Sequence, residues 1–455
     1  MPLQVAIFAA GEGKRMRSAR PKALHRLAGR PLLSHVLGAV RALGPRAICV
    51  VYGSGGDQVP SALPGADLTW VRQEALLGTG DALKCALERL PKDGVTLAMI
   101  GDIPLIRPET LSRLAAAVDG SQLAVLTATP PDPSGLGRIV RDGAGRVCGI
   151  VEEKDASPEQ RAVGEINAGV LAAPTERFAQ WLARLTRDNA QGEYYLTDVV
   201  SLAVEDGVPV VAVSASDPME VQGVNDRAQL AAAERALQQR AAQTLLRDGV
   251  TLADPARIDV RGTLQCGKDV TIDINCIFAG TVTLGDEVSI GAHCLLSNVR
   301  IGAGSVVAPF SHLEDSEIGA RCRIGPYSRI RPKAVLGDEV HIGNFVEVKA
   351  STIGLRSKAN HLAYIGDASV GRDVNVGAGT IICNYDGANK HRTIIEDDVH
   401  IGSDTQLIAP VTVRKGATIG AGATISREVP AGELTISVNK QVTVPGWKRP
   451  GKVQR

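Results

Sequence analysis

Residues 276–296 read CIFAGTVTLGDEVSIGAHCLL, and large apolar side chains recur in this stretch every six residues. One column of such side chains contains Ile272, Phe278, Leu284, Ile290 and Leu296, and a second contains Val270, Cys276, Val282, Val288 and Cys294. The six-residue spacing is interrupted briefly and then resumes over residues 318–348 and 395–425. A period of six does not fit an α-helix, which has about 3.6 residues per turn. It predicts very short strands that meet at turns and stack as the coils of a rod.

This repeat resembles that of the hexapeptide-repeat transferases, whose rods are left-handed parallel β-helices. A spacer or oligomerisation rod is the alternative. Two segments are expected to interrupt the repeat between about Thr251 and Val429, namely residues 354–364 and residues 384–392. Loops on a rigid scaffold commonly carry function, so we expect a site on the rod. The polar segment after Val429 is expected to be a loosely ordered arm.

Length and composition limit the function classes. A chain of 455 residues predicts two or more domains. The net charge of +1 gives no electrostatic case for nucleic-acid or membrane binding. The eight cysteines include no C-x-x-C pair, which favours a reducing cytoplasm. The opening MPLQVAIFAAG is interpreted as a first strand and not as a signal peptide, and no apolar run is long enough to span a membrane.

The N-terminal half alternates strand-like and helix-like segments. Apolar runs at residues 3–9, 47–52, 95–100 and 123–127 alternate with helical patterns near 34–43, 79–90 and 109–118. This order predicts a mostly parallel α/β sheet with both faces covered. Ligands of such sheets bind beyond the carboxyl ends of the strands, where Gly11 and Asp102 are expected.

The loop after the first strand is basic. Against the single acid Glu12, it contains Lys14, Arg15, Arg17, Arg20 and Lys22. Glycines let backbone N–H groups approach an anion, and cations neutralise phosphate, so a phosphate site is predicted; a solvated basic turn is the alternative. The spacing is not that of the ATPase P-loop, and the second strand does not end in the acid of a dinucleotide fingerprint.

The longer string AAGEGKRMRSARPKAL, residues 9–24, resembles the opening of the sugar-nucleotide pyrophosphorylases. The likeness continues through Gln73, LGTG at 77–80, GDIP at 101–104, GLGRI at 135–139, IVEEK at 150–154, EINAG at 165–169, GEYYLTD at 192–198 and GVN at 223–225. With the repeat, the chain from Val5 to about Ile425 resembles the bifunctional bacterial enzymes that make UDP-N-acetylglucosamine for peptidoglycan and lipopolysaccharide precursors. The resemblance implies a Rossmann-like uridyltransferase domain at 1–227, a largely exposed linker helix at 228–250 and an N-acetyltransferase β-helix with its tail at 251–455.

Uridyl transfer needs cations around phosphate oxygens, and Mg²⁺ prefers oxygen ligands. Asp102, just past its strand, is the best candidate ligand, and the resemblance adds Asn225. Arg15 and Lys22 would stabilise the transferring phosphoryl group. The resemblance implies that the following residues bind the nucleotide and sugar: Phe8, Ala9, Ala10, Gly11, Lys22, Gln73, Gly78, Thr79, Ile100, Gly101, Asp102, Gly137, Glu152, Asn167 and Asn225. Lys14 stands where the family usually has Thr or Ser, which leaves that contact open.

Acetyl transfer needs a neutral amine, and a histidine is the natural base near neutral pH. His361 matches the proton acceptor of the family. The resemblance assigns glucosamine-1-phosphate to Arg331, Lys349, Tyr364, Asn375 and Lys390, and acetyl-CoA to Ala378, Asn384, Tyr385, Ser403 and Ala421. Ser403 or a backbone N–H could stabilise the thioester oxyanion. Lys440 could replace an arginine that relatives carry in the tail.

The acetyl-transfer residues come from different coils of one rod, so we expect a cyclic homotrimer with sites shared between subunits. Two alternatives remain open at this point. One is a sugar nucleotidyltransferase with a single activity, whose rod only assembles or regulates. The other is a non-enzymatic scaffold, which would be expected to lose Lys22, Asp102 and Asn225.

Overall fold

Seven strands form the main path of the N-terminal sheet in the computed structural model, which describes residues 1–53, 55–438 and 443–447. The strands of this half are β1 Leu3–Phe8, β2 Arg26–Leu27, β3 Arg30–Pro31, β4 Ala47–Tyr52, β5 Leu68–Arg72, β6 Val95–Ile100, β7 Leu123–Ala128, β8 Arg138–Arg141, β9 Val147–Val151, β10 Ile166–Pro174 and β11 Val210–Ser214. The order along the sheet is β11-β7-β10-β6-β1-β4-β5. Only β10 runs antiparallel to its neighbours on this path, so the predicted mostly parallel sheet is confirmed.

Helices cover both faces of this sheet, as predicted. They are α1 Leu32–Arg41, α2 Gln58–Ala62, α3 Thr79–Leu87, α4 Pro108–Ala116, α5 Pro158–Arg161, α6 Thr175–Leu182 and α7 Asp198–Glu205. Alternate residues of a strand point to opposite faces. Val5 and Ile7 of β1 therefore pack with α1 and α4, while Ala6 and Phe8 pack with α3, α6 and α7.

A single helix, α8 at Arg227–Arg247, follows the N-terminal domain. The chain divides into two units, Met1–Gln238 and Gln239–Arg455, so this division falls inside the helix. Ala233 packs with Leu27 and Leu32 of the first unit, and Ala242 and Leu245 belong to the apolar core of the second. Most other positions of the helix are exposed or half-buried, as its thin apolar face predicts.

The second unit is the predicted parallel β-helix. Its strands are β12 Thr251–Leu252, β13 Ile258–Cys266, β14 Thr271–Ile272, β15 Cys276–Leu284, β16 Ser289–Ile290, β17 Leu295–Ile301, β18 Val306–Val307, β19 His312–Ile318, β20 Arg323–Ile324, β21 Arg329–Ile330, β22 Val335–Leu336, β23 His341–Asn344, β24 Glu347–Lys349, β25 Thr352–Ile353, β26 Lys358–His361, β27 Tyr364–Gly366, β28 Ala368–Val370, β29 Asn375–Val376, β30 Ile381–Cys383, β31 Thr393–Ile395, β32 His400–Ile401, β33 Gln406–Ile408, β34 Val411–Val413, β35 Thr418–Ile419, β36 Thr424–Ile425 and β37 Leu434–Thr435. Ser289 pairs with Val306, and Arg323 pairs with His341, so each coil corresponds to three steps of the repeat, with an occasional slip. The predicted aliphatic columns are buried inside the rod.

The first predicted break in the repeat is wrong. Asn344 pairs with His361 and Lys358 pairs with Asn375, each on the next coil, so residues 354–364 form part of a regular coil. The interior is filled here by buried Ala359 and Ala363 in place of larger side chains. The apolar pattern fades in the sequence although the backbone pairing continues.

The second predicted break is a true insertion. Ala368 pairs with Thr393 and Ile381 pairs with Gln406, and both of these pairs span a longer stretch of chain than the regular pairs do. The coil between them is therefore lengthened. The extra residues follow β30 and include the bridge between Tyr385 and Lys390. We call residues 384–392 the insertion loop.

The end of the rod also differs from expectation. Leu434–Thr435 pairs in parallel with Thr418–Ile419, so coil pairing continues past the predicted limit near Val429. Ile436 and Val438 are exposed. Lys440, proposed above for CoA, and Lys448 and Arg449 lie outside the described residues. Among the helices that the structure describes, none is long and apolar enough to cross a membrane.

Candidate active sites

Two cavities open at the carboxyl ends of β1 and β6. One of about 510 Å³ and another of about 680 Å³ share Phe8, Thr79, Ile100 and Asp102 in their walls. Every residue predicted for uridyl transfer lines one or both of them. The first contains the loop from Phe8 to Glu12 with Lys22, Gln73 and Gly78, and the second contains Arg15, Gly137, Glu152, Asn167 and Asn225.

Backbone hydrogen bonds pin the first loop across the strand ends. Ala9 N donates to Val51 O at 2.8 Å, and Gly101 N donates to Phe8 O at 2.8 Å. The loop therefore continues the parallel pairing just beyond the sheet, where the cavity begins. The exposed side chain of Lys14 forms an ion pair with Glu12. Lys14, which replaces the usual Thr or Ser of the family, lines neither cavity.

Three polar side chains, those of Lys22, Asp102 and Asn225, are in contact where the two cavities meet. The Lys22 ammonium donates to Asp102 Oδ2, and to Asn225 Oδ1 at 2.6 Å. Val224 N donates to the backbone O of Asp102 at 2.9 Å, which ties the two loops together. The other carboxylate oxygen, Asp102 Oδ1, is buried and has no hydrogen-bond partner among the described residues. A buried carboxylate oxygen with no partner is expected to have a ligand.

Gly78 begins α3 with φ of +104°. A Cβ placed here would lie 2.7 Å from Tyr194 O, so only glycine fits. Gly80 N donates to the same oxygen at 2.8 Å. The side chain of Gln73 is held by Gly78 O and by Asp81 Oδ2, at 3.1 and 2.7 Å. These hydrogen bonds hold the turn at Gly78, which forms one wall of the first cavity, in a fixed conformation.

Glu152 and Asn167 stand in the wall of the second cavity. Burial raises the pKa of the Glu152 carboxyl, against the opposing hydrogen bond that Thr197 Oγ1 donates at 3.1 Å. Asn167 Oδ1 accepts from Gly169 N at 3.1 Å, which fixes the amide and leaves its NH₂ to donate. The two groups offer one acceptor and one donor to a polyhydroxylated ligand.

On the rod, His361 ends β26 and is exposed. Its Nδ1 lies 2.9 Å from Asn344 Oδ1 on the preceding coil. An amide oxygen only accepts, so Nδ1 carries the proton and Nε2 has the free lone pair. Asn344 was missed in the sequence, because its only signal is its position one coil before His361.

A group of cations lies around Asp367. The adjacent ammonium of Lys390 lowers the pKa of Lys349, chiefly by direct side-chain contact, and Arg331 acts in the same direction while Asp367 opposes it. Arg331 pairs with Glu347 at 2.7 Å. Clustered like charges favour binding of an anion such as phosphate. Asp367 and Glu347 also belong to this group, and no motif in the sequence marks them.

Tyr364 and Asn384 meet beside the same carboxylate. Asn384 Nδ2 donates to Asp367 Oδ2 and lies 3.4 Å from the Tyr364 hydroxyl. In the insertion loop, Asp386 accepts from Asn389 N and from Ala388 N and contacts His391 Nε2 at 2.6 Å. These bonds lower the pKa of Asp386 and give the loop a defined shape. Tyr385 is 60% exposed at its edge.

Ala378, Ser403 and Ala421 occupy equivalent positions on consecutive coils. Asp404 N donates to Ala378 O at 2.7 Å, and Gly422 N donates to Ser403 O at 2.8 Å, so the three lie in one column along the rod. Asn375 lies on β29, three residues before Ala378, and is paired between Lys358 and His400 on the neighbouring coils. The structure thus brings Lys349, Lys390 and Arg331 together, and it separately aligns Ala378, Ser403 and Ala421. The other two residues predicted for acetyl-CoA, Asn384 and Tyr385, lie in the insertion loop.

An exposed aromatic ridge follows one edge of the rod. His293, Phe310, Tyr327 and Phe345 stack at centroid distances of 4.9, 5.0 and 5.3 Å, and Leu362 takes the next position. Phe345 and Leu362 are 56% and 61% exposed and directly follow Asn344 and His361 in the chain. We call these five residues the ridge.

Comparison with known proteins matches both halves. Residues 5–253 match the MobA-like NTP transferase domain, residues 260–359 match the GMPPB C-terminal domain, and residues 392–427 match the bacterial transferase hexapeptide family. The bifunctional protein GlmU of Azoarcus sp. is 58% identical over 99% of this chain and 100% of its own length. The bifunctional protein GlmU of Herminiimonas arsenicoxydans is 54% identical over the full length of both chains.

This chain belongs to the GlmU family. The resemblance stated from the sequence is confirmed, as is the class of a bifunctional enzyme with a nucleotidyltransferase half and a hexapeptide transferase half. Among solved structures, a nucleotidyl transferase from Methanothermobacter thermautotroptrophicus is 23% identical over 55% of this chain and 99% of that chain, with a TM-score of 0.38. The GlmU relatives, which match the full chain, are the basis for the function.

Proposed function

We propose that this GlmU-family chain acetylates glucosamine-1-phosphate with acetyl-CoA and then transfers uridylyl from UTP to N-acetylglucosamine-1-phosphate. The observation that carries the proposal is the convergence of Lys22, Asp102 and Asn225 at the mouth of the α/β cavities on a chain that also bears His361. A scaffold protein has no use for such a cluster of polar groups at a cavity.

In the uridyl reaction, the sugar phosphate attacks the α-phosphorus of UTP and pyrophosphate leaves. Arg15 and Lys22 line the cavities and stabilise the charge on the transferring group. The loop from Phe8 to Gly11 and the turn at Gly78 hold the nucleotide. Glu152 and Asn167 orient the sugar through the acceptor and the donor that they present.

Asp102 and Asn225 would hold Mg²⁺. They fit this ion, since both offer oxygen atoms to the mouth and Asp102 Oδ1 is buried without a protein partner in the described chain. When bound, Mg²⁺ supplies neutralisation of phosphate charge. The residues of the chain position the phosphates against Lys22.

In the acetyl reaction, the amine of glucosamine-1-phosphate attacks the thioester carbon of acetyl-CoA, and His361 Nε2 removes a proton from the amine. The C–N bond forms, the C–S bond breaks, and CoA leaves as a thiolate that takes up a proton. Asn344 holds the tautomer in which Nε2 is the acceptor. Lys349, Lys390 and Arg331 bind the phosphate, and Tyr364 with Asn375 orients the hydroxyls. The column of Ala378, Ser403 and Ala421, with Asn384 and Tyr385, binds acetyl-CoA along the rod, and Ser403 is the oxyanion donor.

We further propose a homotrimer in which neighbouring rods complete each acetyl-transfer site. His361 is exposed in one chain, and a catalytic base needs shielding from water to work on a bound amine. The exposed ridge ends beside His361 and is an apolar surface of the kind that a second copy covers. The cytoplasm is the proposed compartment, because all eight cysteines are free thiols.

The test is a coupled assay with glucosamine-1-phosphate, acetyl-CoA, UTP and Mg²⁺, in which each component is omitted in turn. Omission of acetyl-CoA should stop the sequence unless N-acetylglucosamine-1-phosphate is supplied. UDP-N-acetylglucosamine formed only from the acetylated sugar would instead support the alternative of a single nucleotidyltransferase activity with a structural rod.

A further inference from the structure

Lys22 makes its contacts with the two side chains that the proposed function gives to the metal. The residue begins a short 3₁₀ turn at Lys22–Leu24, and its side chain is 13% exposed. Its ammonium contacts Asp102 Oδ2 and lies 2.6 Å from Asn225 Oδ1. One protein cation therefore bonds to both oxygen donors of the candidate Mg²⁺ site.

The backbone that carries this ammonium is fixed. Pro21 precedes Lys22 and packs against Gly55, where an added Cβ would lie 2.5 Å from the proline ring. Gly13 lies so close that a Cβ there would be 2.8 Å from Lys22 Cβ. The four-carbon stem beyond Cα remains flexible, as is general for lysine. Movement of the ammonium therefore needs only a change of side-chain rotamers.

We propose that Lys22 is the resident counter-ion of this site in the free enzyme, and that a divalent cation binds by displacing it. This inference rests on the proposed assignment of Asp102 and Asn225 to the metal. The ammonium and a divalent cation are attracted to the same carboxylate and to the same amide oxygen, Asn225 Oδ1, and repulsion between the two cations disfavours the contacts of Lys22 once the divalent cation is bound. The released ammonium remains in the cavity wall, where it meets phosphate oxygens.

This exchange has two consequences. Without metal, Lys22 neutralises Asp102 and is withheld from the nucleotide. With metal, the same side chain is set free for the transferring phosphoryl group. Metal binding and the positioning of Lys22 are thus one event, and the metal affinity of the free enzyme is lowered by the cost of breaking the two contacts.

The test measures Mn²⁺ binding to the full-length, nucleotide-free enzyme by electron paramagnetic resonance, with Mg²⁺ as competitor. Lys22→Met should bind Mn²⁺ about tenfold more tightly than the wild type, because the competing cation is gone. Arg15→Met is the matched control, since Arg15 lines the second cavity, which also contains Asp102 and Asn225, and makes no hydrogen bond to either of them among those of the described chain. It should change the affinity by less than about twofold.

Equal or weaker binding in Lys22→Met, or an equal gain in Arg15→Met, would overturn the exchange. Asp102→Asn distinguishes a failure of the exchange from a failure of the proposed function. Loss of Mn²⁺ binding in this variant supports Asp102 as a metal ligand. Unchanged Mn²⁺ binding shows that Asp102 does not bind the metal. As a measurement that needs no variant, the enzyme is labelled with ¹³C at the lysine ε-carbons and Mg²⁺ is added. The Lys22 resonance should move while that of exposed Lys14 stays, and a Lys22 resonance that does not move at saturating Mg²⁺ contradicts displacement.

Discussion

His361 Nδ1 lies 2.9 Å from Asn344 Oδ1, and the two residues pair on adjacent coils of the rod. Asn344 is therefore a positioning residue that fixes the histidine tautomer. Asn344→Ala should lower the acetyl-transfer rate about tenfold, which corresponds to roughly 1.4 kcal/mol of barrier. Asn344→Asp keeps an acceptor oxygen beside Nδ1, so this variant should retain most of the rate that Asn344→Ala loses. An equal loss of rate in the two variants rejects this role.

The two activities should be separable by single substitutions. His361→Ala removes the proposed base, and the acetyl-transfer rate should fall about 10²- to 10⁴-fold while uridyl transfer is retained. Asp102→Ala removes a proposed metal ligand, and Mg²⁺-dependent pyrophosphate release should fall about 10²-fold or more while acetyl transfer is retained. Each variant serves as the control for the other. Loss of both activities in either variant argues against separate sites.

Gly78 should tolerate no side chain. Gly78→Ala combines a strained φ of +104° with a Cβ 2.7 Å from Tyr194 O, and should cost about 1–3 kcal/mol of unfolding free energy with a loss of uridyl transfer. Gly120→Ala is the matched control, because Gly120 has φ of +75° and open space at the Cβ position. It reports the backbone strain alone. Equal destabilisation of the two variants in urea titrations would show that the approach to Tyr194 contributes nothing.

The partly buried carboxyl of Glu152 makes the stability of the fold depend on pH. Because burial raises its pKa in the folded state, the ionised carboxylate disfavours folding above the pKa. Glu152→Gln should therefore raise the Tm of the ligand-free enzyme at about pH 7, and this gain should vanish as the pH falls below the ordinary carboxyl pKa of about 4.3. Differential scanning calorimetry across this range checks the sign. A gain that grows toward acid pH contradicts the burial of the charge.

The ridge should hold the proposed trimer together. Phe345→Glu replaces the more exposed of its two phenylalanine rings with a charge, and the particle mass in light scattering should fall from three subunits of 47.7 kDa to one. Acetyl transfer should then be lost with uridyl transfer preserved. Val306→Glu is the control, since Val306 is 42% exposed and lies outside the ridge. A trimer that survives Phe345→Glu, with acetyl transfer intact, excludes the ridge as the interface.

The sequence predicts a structural element only where the side chains of that element form a visible pattern. The buried Ile290 and Leu284 columns repeat visibly, so the rod could be predicted, and the ordered pyrophosphorylase motifs placed every uridyl-site residue at a cavity wall. The repeat predicts an insertion at residues 354–364, whereas the structure has a regular coil there in which Ala359 and Ala363 fill the interior. The backbone pairing between coils continues through residues 354–364, but it does not depend on which side chains are present and so cannot be recognised from the sequence.

Side chains that act across coils are hidden for the same reason. Asn344 and Asp367 meet His361 and Asn384 only through the register of the coils, and a small change in coil length would move them apart. The contact of Lys22 with Asp102 joins distant parts of the chain and arises from loops at neighbouring strand ends. Fold class was therefore within reach of the sequence, and the pairing of polar groups was not.

Helix α8 supplies Ala233 to one apolar core and Leu245 to the other. A cut between Gln238 and Gln239 would leave Ala233 with the first core, and Ala242 and Leu245 with the second, so each product would keep its own apolar contacts with the helix. Each product would lose only the backbone hydrogen bonds that cross the cut, at two new helix ends. Each half therefore carries the part of the helix that its own core uses, and the two halves can be parted by engineering at this point in the chain.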